Sequence, residues 1–191
     1  VLAIRFRPGG AFSLLQQDVK EFTNTIVSLQ EFSHPFLRQL QSKLFDLSDD
    51  LLLALRCLDQ ELKIYLLKNA SLSQPFTQAV HRMIQTKGQI TIEELCQQLG
   101  FSRQYLQQLF QKQVGLSPKY FCRMTRFHAL VQAIPTSFET NWSHLALEQG
   151  YYDQSHLIAD FKTFSGMTPN EFWKIFHSAQ LKRNQKLEVS F

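Results

Sequence analysis

Four glutamines stand at Gln104, Gln107, Gln108 and Gln111. At about 100° per residue this spacing gathers them on one side of a helix. A glutamine side chain donates and accepts at once. It can bond the N6 and N7 edge of adenine with two hydrogen bonds, a contact that discriminates between bases by roughly 1–3 kcal/mol. Glutamine is also an ordinary helix former on a solvated face, and the four residues alone favour that plainer reading. Other chemistries find less support. Six histidines (His34, His81, His128, His144, His156 and His177) include no HExxH pair, and Cys57, Cys96 and Cys122 show no CxxC spacing. The chain has no Gly-rich phosphate loop and no Gly-x-Ser-x-Gly elbow. The expectation is a non-enzymatic protein with no metal and no cofactor. Its three scattered cysteines read as buried, reduced thiols of a cytoplasmic protein rather than a disulfide framework.

The elements around the glutamines supply the case that composition does not. Ile92, Leu95, Cys96 and Leu99 recur at helical spacing, and Gly100 permits a tight turn after them. Phe101 fills the corner, and Ser102 is a good cap for the next helix, whose buried side is Leu106, Leu109 and Phe110. The unit then repeats. Leu106, Phe110, Gly115, Ser117-Pro118 and Phe121 recur 51 residues later as Leu157, Phe161, Gly166, Thr168-Pro169 and Phe172. Gly150 corresponds to Gly100, one residue closer. In the second copy Leu145 and Ala146 point inward, Asp153 caps, and Leu157, Phe161 and Phe164 form the buried side. Its outward face is Ser155, Ile158, Ala159 and Lys162. Two short helices joined by a glycine turn, used twice, are two helix-turn-helix units.

Between the copies Ser117-Pro118 opens a helix with Phe121, Met124, Phe127, Leu130, Val131 and Ile134 on one face. About 16 residues of helix span roughly 24 Å, which suits two readers on successive major-groove faces about 34 Å apart. Lys119, Arg123 and Arg126 are candidates for phosphate contacts, with ordinary surface charge as the alternative. The formal net charge is +4. Residues 1–75 hold eight basic and eight acidic residues, so the excess lies wholly in 76–191.

The first part of the chain is less specific. Leu2, Ile4 and Phe6 alternate with Ala3, Arg5 and Arg7, a strand pattern stopped by Pro8-Gly9-Gly10. Helical patterns come next, one through Phe36, Leu37, Leu40 and Leu44. A second runs through Leu51, Leu52, Leu55, Leu58, Leu62 and Leu66, opened by Ser48 as cap with Asp49 and Asp50 in its first turn. That leucine stripe reads first as intradomain core and second as a dimer seam. The stretch 69–75 is the best linker. Beyond it seven helices are expected, at about 75–86, 92–99, 103–113, 118–133, 142–149, 154–164 and 169–177. The expected fold is mainly α: two helix-turn-helix subdomains joined by a linker helix, preceded by a helical region and the remnant of a β strand. The division is 1–75, 76–177 and a polar tail 178–191. There is no membrane span and no signal peptide pattern. The start lacks an initiator Met, and the chain is expected to be a fragment that begins inside a longer sensor domain.

These residues resemble AraC/XylS-type transcriptional regulators. The first helix-turn-helix is carried by Ile92 to Leu95, Leu99 to Ser102, Leu106 to Phe110 and Val114 to Phe121. The second is carried by Gly150 to Leu157, Phe161-Lys162 and Phe164 to Pro169. Residues 5–15 are similar to a junction in one bacterial subgroup that closes a small N-terminal β-domain. The resemblance implies double-stranded DNA as partner, with each second helix in a major groove, often with bending of the DNA. By motif position the first reader is Ser102, Arg103, Gln104, Gln107 and Gln108, to which the exposed face adds Gln111. The second is Gln154, Ser155, His156, Ile158 and Ala159, with Lys162 beside them. The family often has Arg where this chain has Ala159, and Asp160 follows it, so the first unit is expected to carry most base specificity. A homodimer through residues 1–75, a small-molecule effector on a preceding N-terminal part, and RNA polymerase remain open as further partners. The alternative function is a ligand-sensing or protein-interaction module that binds DNA weakly.

Overall fold

A computed structural model describes residues 3–29, 32–69, 72–135 and 140–176. The tail 178–191, His177 and Leu2 of the strand pattern lie outside the described residues. Ten helices form among the described residues: α1 (Gly10–Leu15), α2 (Pro35–Asp46), α3 (Leu51–Asn69), α4 (Gln74–Gln85), α5 (Ile92–Leu99), α6 (Arg103–Val114), α7 (Pro118–Ala133), α8 (Trp142–Glu148), α9 (Gln154–Ser165) and α10 (169–176). A 3-10 turn, Val19–Phe22, comes after α1. The fold is mainly α, as expected. No strand forms among the described residues. Ile4 and Phe6 are each 42% exposed, and no neighbouring strand among those residues pairs their backbone. The strand remnant is therefore corrected to an irregular, exposed segment.

Local sequence explains the helix ends. Ser102 accepts a hydrogen bond from the Tyr105 N–H at 3.1 Å, and Asp153 accepts one from the His156 N–H at 2.7 Å. A capping box opens α5: Thr91 Oγ1 accepts from the Glu94 N–H while Glu94 Oε2 accepts from the Thr91 N–H, at 3.1 and 2.9 Å. Thr168 and Glu171 repeat the arrangement at the start of α10. The cap of α3 differs from expectation. Asp50 Oδ1 accepts from the Leu53 N–H, so α3 begins at Leu51 and Ser48 stays outside it.

The chain divides into two compact units. One comprises 1–80 and 95–118, the other 81–94 and 119–191. In the first, α2 and α3 pair, α1 packs on α3, and α6 packs against both α1 and the 3-10 turn. Thr23 Oγ1 donates to the Gly115 carbonyl at 3.0 Å, which pins the turn to the end of α6. Phe76 and Phe110 are buried with ring centroids 5.4 Å apart. Composition separates residues 1–75 from the rest of the chain, whereas the packing joins α1 and the 3-10 turn to the first helix-turn-helix. The leucine stripe of α3 also departs from a core role: Ala54 and Leu58 are buried, but Leu51, Leu52 and Leu55 are exposed.

The second unit has its core in Leu130, Ile134, Trp142, Leu145, Ala146, Tyr151, Leu157 and Phe161. Phe161 meets the rings of Phe127, Trp142 and Phe172 edge-on at 5.0, 5.8 and 5.5 Å. Trp142 donates from Nε1 to Asn170 Oδ1 at 2.7 Å, so its buried indole has its polar partner.

Candidate nucleic-acid interface

The first helix-turn-helix begins with a short helix, α5, whose Leu95 and Cys96 are buried. Gly100 comes next with φ +70°, and Gly150 in the second unit has φ +74°. Side chains rarely adopt this left-handed conformation, so the two glycines make the same sharp turn in the two copies. Phe101 lies edge-on to Tyr105 at 5.3 Å and closes the corner. On α6, Leu106, Leu109 and Phe110 are buried as expected, and Gln113 joins them at 4% exposure. Ser102, Arg103, Gln104 and Gln108 are exposed, while Gln107 and Gln111 are half-buried. The polar residues read from sequence thus lie on the outward side of one helix.

The second helix-turn-helix is built on the same plan, but its side chains are more heavily engaged. Gln154 accepts from Ser143 Oγ at 2.8 Å. His156 stands edge-on to Tyr151 at 5.2 Å, and its Nδ1 is within 3.5 Å of the Tyr152 N–H. Ile158 packs against the core cluster. Ser155, Ala159 and Lys162 are exposed. Asp160, read from sequence as an acidic neighbour of that face, is completely buried. It points the other way, where Arg123 Nη2 and Nε donate to its Oδ1 at 2.6 and 3.0 Å.

That pair changes what the basic residues of α7 can do. Arg123 is committed to Asp160 and also lies over the Phe164 ring at 5.7 Å. Arg126 donates to the Gly88 and Gly150 carbonyls, each at 3.2 Å, and its guanidinium lies 5.4 Å from the Tyr151 ring centroid. The guanidinium groups expected at phosphates therefore hold the second unit together: Arg126 satisfies the carbonyl of the very glycine that turns the chain. Lys119 is exposed. Burial and the Asp160 charge push the Tyr151 phenol upward, so it stays a neutral core residue. Nothing in the residue spacing marks the Arg123–Asp160 pair, which is a contact across 37 positions. The capping boxes, missed as well, carry a readable Thr-x-x-Glu pattern.

The cysteines are free. Cys96 and Cys122 are buried, and burial pushes the Cys122 thiol up to about 11, while Cys57 is half-buried rather than enclosed. Among the described residues no group of three or more His, Cys, Asp and Glu side chains can hold a metal ion. No helix among them is long and apolar enough to cross a membrane.

Residues 95–175 match a family model described as a helix-turn-helix domain, of the AraC-like kind. No curated protein and no solved structure matches the chain. The matched domain supports DNA as the partner and regulation of transcription as the general role.

Proposed function

We propose that the chain is a sequence-specific regulator that reads double-stranded DNA with α6 and α9, each in a major groove. The observation that carries this reading is the repeated helix-turn-helix with a polar, outward α6. Ser102, Arg103, Gln104, Gln107, Gln108 and Gln111 are its base-reading and flanking residues. Glutamine and arginine are the side chains that make bidentate contacts to adenine and guanine edges. In α9 the exposed Ser155, Ala159 and Lys162 lie beside Gln154, His156 and Ile158, and this helix adds less discrimination. Ile158 and Ala159 offer apolar contact to a thymine methyl. Lys119 and Lys162 supply phosphate contacts, and Arg123 and Arg126 act by positioning α7 against α9. The XylS-like detail, a bacterial source, a homodimer through residues 1–75, a small-molecule effector and a contact with RNA polymerase belong to the same proposal.

Selection of bound duplexes from a random DNA pool at two salt concentrations tests it. A short enriched motif is expected, with affinity falling as salt rises because phosphate contacts release counterions. Salt-sensitive binding without enrichment would support the ligand-sensing or interaction module with weak DNA binding instead.

A further inference from the structure

The repeat changes its step inside the second turn. Gly150 stands 50 residues after Gly100, whereas Leu157 stands 51 after Leu106. The second copy therefore holds one residue more between its glycine and its buried helix face. Ring geometry identifies the extra residue. In the first copy the corner aromatic Phe101 meets Tyr105 edge-on, at 5.3 Å and 72°. In the second, Tyr151 meets His156 in the same way, at 5.2 Å and 75°. Tyr151 thus corresponds to Phe101, 50 residues on, and His156 to Tyr105, 51 residues on. The caps Ser102 and Asp153 are also 51 apart. Tyr152 is the residue without a counterpart.

Its side chain is 86% exposed, while Tyr151 beside it is buried. Tyr151 already fills the corner, so packing has no use for a second ring. The backbone of Tyr152 is nonetheless well placed. It lies between the buried Tyr151 and the cap Asp153, with its N–H within 3.5 Å of His156 Nδ1. Along the outward side of α9, Ser155 and Ala159 are short. Asp153 is committed to the His156 N–H, so the longer phenol is the donor that this end of α9 offers. A tyrosine with an apolar ring and a polar tip suits a surface that is apolar at one point and charged at the next. Deoxyribose beside phosphate is such a surface.

We propose that Tyr152 anchors the second helix-turn-helix on the DNA backbone, its hydroxyl donating to a phosphate and its ring lying on the adjoining sugar. The inference rests on the proposed function and adds to it a contact that carries neither sequence information nor charge.

The test uses the full chain, the duplex it enriches from a random pool, and variants of that duplex changed at single base pairs. Tyr152→Phe is expected to weaken binding about fivefold, and Tyr152→Ala, which also removes the ring, about twentyfold. Both factors should be the same on every duplex. The salt slope should stay as it is, because a neutral donor releases no counterion, whereas Lys162→Ala should reduce it by about one. Thermal unfolding should not change, since the side chain is exposed, and this separates a lost contact from a lost fold. Tyr152→Phe binding as tightly as the unaltered chain would overturn the proposal. So would a loss confined to one base pair, which would make Tyr152 a base reader. Failure of the unaltered chain to bind any duplex would instead remove the proposed function, and the anchor with it.

Discussion

Helices α6 and α9 share a scaffold and differ in where they bury polarity. Aligned by the 51-residue repeat, Leu106 and Phe110 of α6 correspond to Leu157 and Phe161 of α9, all four fully buried. One position apart, Leu109 of α6 corresponds to Asp160 of α9, so an apolar wedge in one copy is a buried carboxylate in the other. Four positions on, the preference inverts: buried Gln113 corresponds to half-buried Phe164. Each polar residue ties its helix to a different neighbour. Gln113 reaches Ser73, just before α4, and Asp160 reaches Arg123 on α7. The duplication preserved what the turn and the helix contact demand. It left free the positions where each copy meets the rest of its own unit.

The sharpest way to break this comparison is at the Leu109 and Asp160 pair of positions. Asp160→Leu, which makes the second copy resemble the first, is expected to destabilise the protein by about 3 kcal/mol in denaturant unfolding, because Arg123 loses its buried partner. The figure sits at the low end of the usual range because a third of the Arg123 side chain (32%) still reaches solvent. Adding Arg123→Met should recover most of the loss. A neutral Asp160→Leu would show that the pair is incidental.

DNA reading sharpens the contrast on the outward face. Gln104→Ala is expected to lose roughly 1–3 kcal/mol of discrimination at one base pair, measured by competition between duplexes. Ser155→Ala, at the equivalent position, should lose less. Ala159→Arg should raise affinity for all sequences and steepen the salt slope by about one. Equal, sequence-independent effects of Gln107→Ala and Ala159→Arg would remove the asymmetry between the readers.

Features common to both copies should respond alike. Ser102→Ala and Asp153→Ala remove equivalent caps, and each is expected to cost about 1 kcal/mol in thermal or denaturant unfolding. A much larger loss for one would mean that its side chain does more than cap. The smallest effect concerns acid. Hydrogen bonds from the Thr91 backbone and hydroxyl hold Glu94 below the ordinary carboxylate value, and Thr168 does the same for Glu171. A carboxyl with a lowered native pKa stabilises the fold fully above its ordinary value of 4.5, and the contribution fades as pH falls through the lowered one. NMR titration should find both glutamates ionising below an exposed carboxylate, and Thr91→Val or Thr168→Val should return the partner toward 4.5.

Most of the reading scaffold was legible because its determinants are local. Helix α5 and helix α7 run over the ranges their apolar spacing indicates, and Ser102 and Asp153 cap where they were expected to. Outward positions follow from the helix period once Leu106, Phe110, Leu157 and Phe161 are known to face inward. The phosphate candidates show the limit. Arg123 and Arg126 look like surface charge when only their own helix is considered, yet their partners lie in α9 and in two glycine turns. The opening residues show another. Alternation of Ile4 and Phe6 indicates a strand only if a second strand pairs with it.

By itself, the sequence determined the helices, their caps, the doubled turn and the polar outward side of α6, because each depends on neighbours a few positions away. Tertiary structure decided which charges remain outside. A buried carboxylate such as Asp160 must find a cation, and that need draws Arg123 inward from the surface to which its helix had assigned it. Packing also decided that α1 and the 3-10 turn lie against α6, which gives that helix a pocketed flank that residue spacing does not foretell.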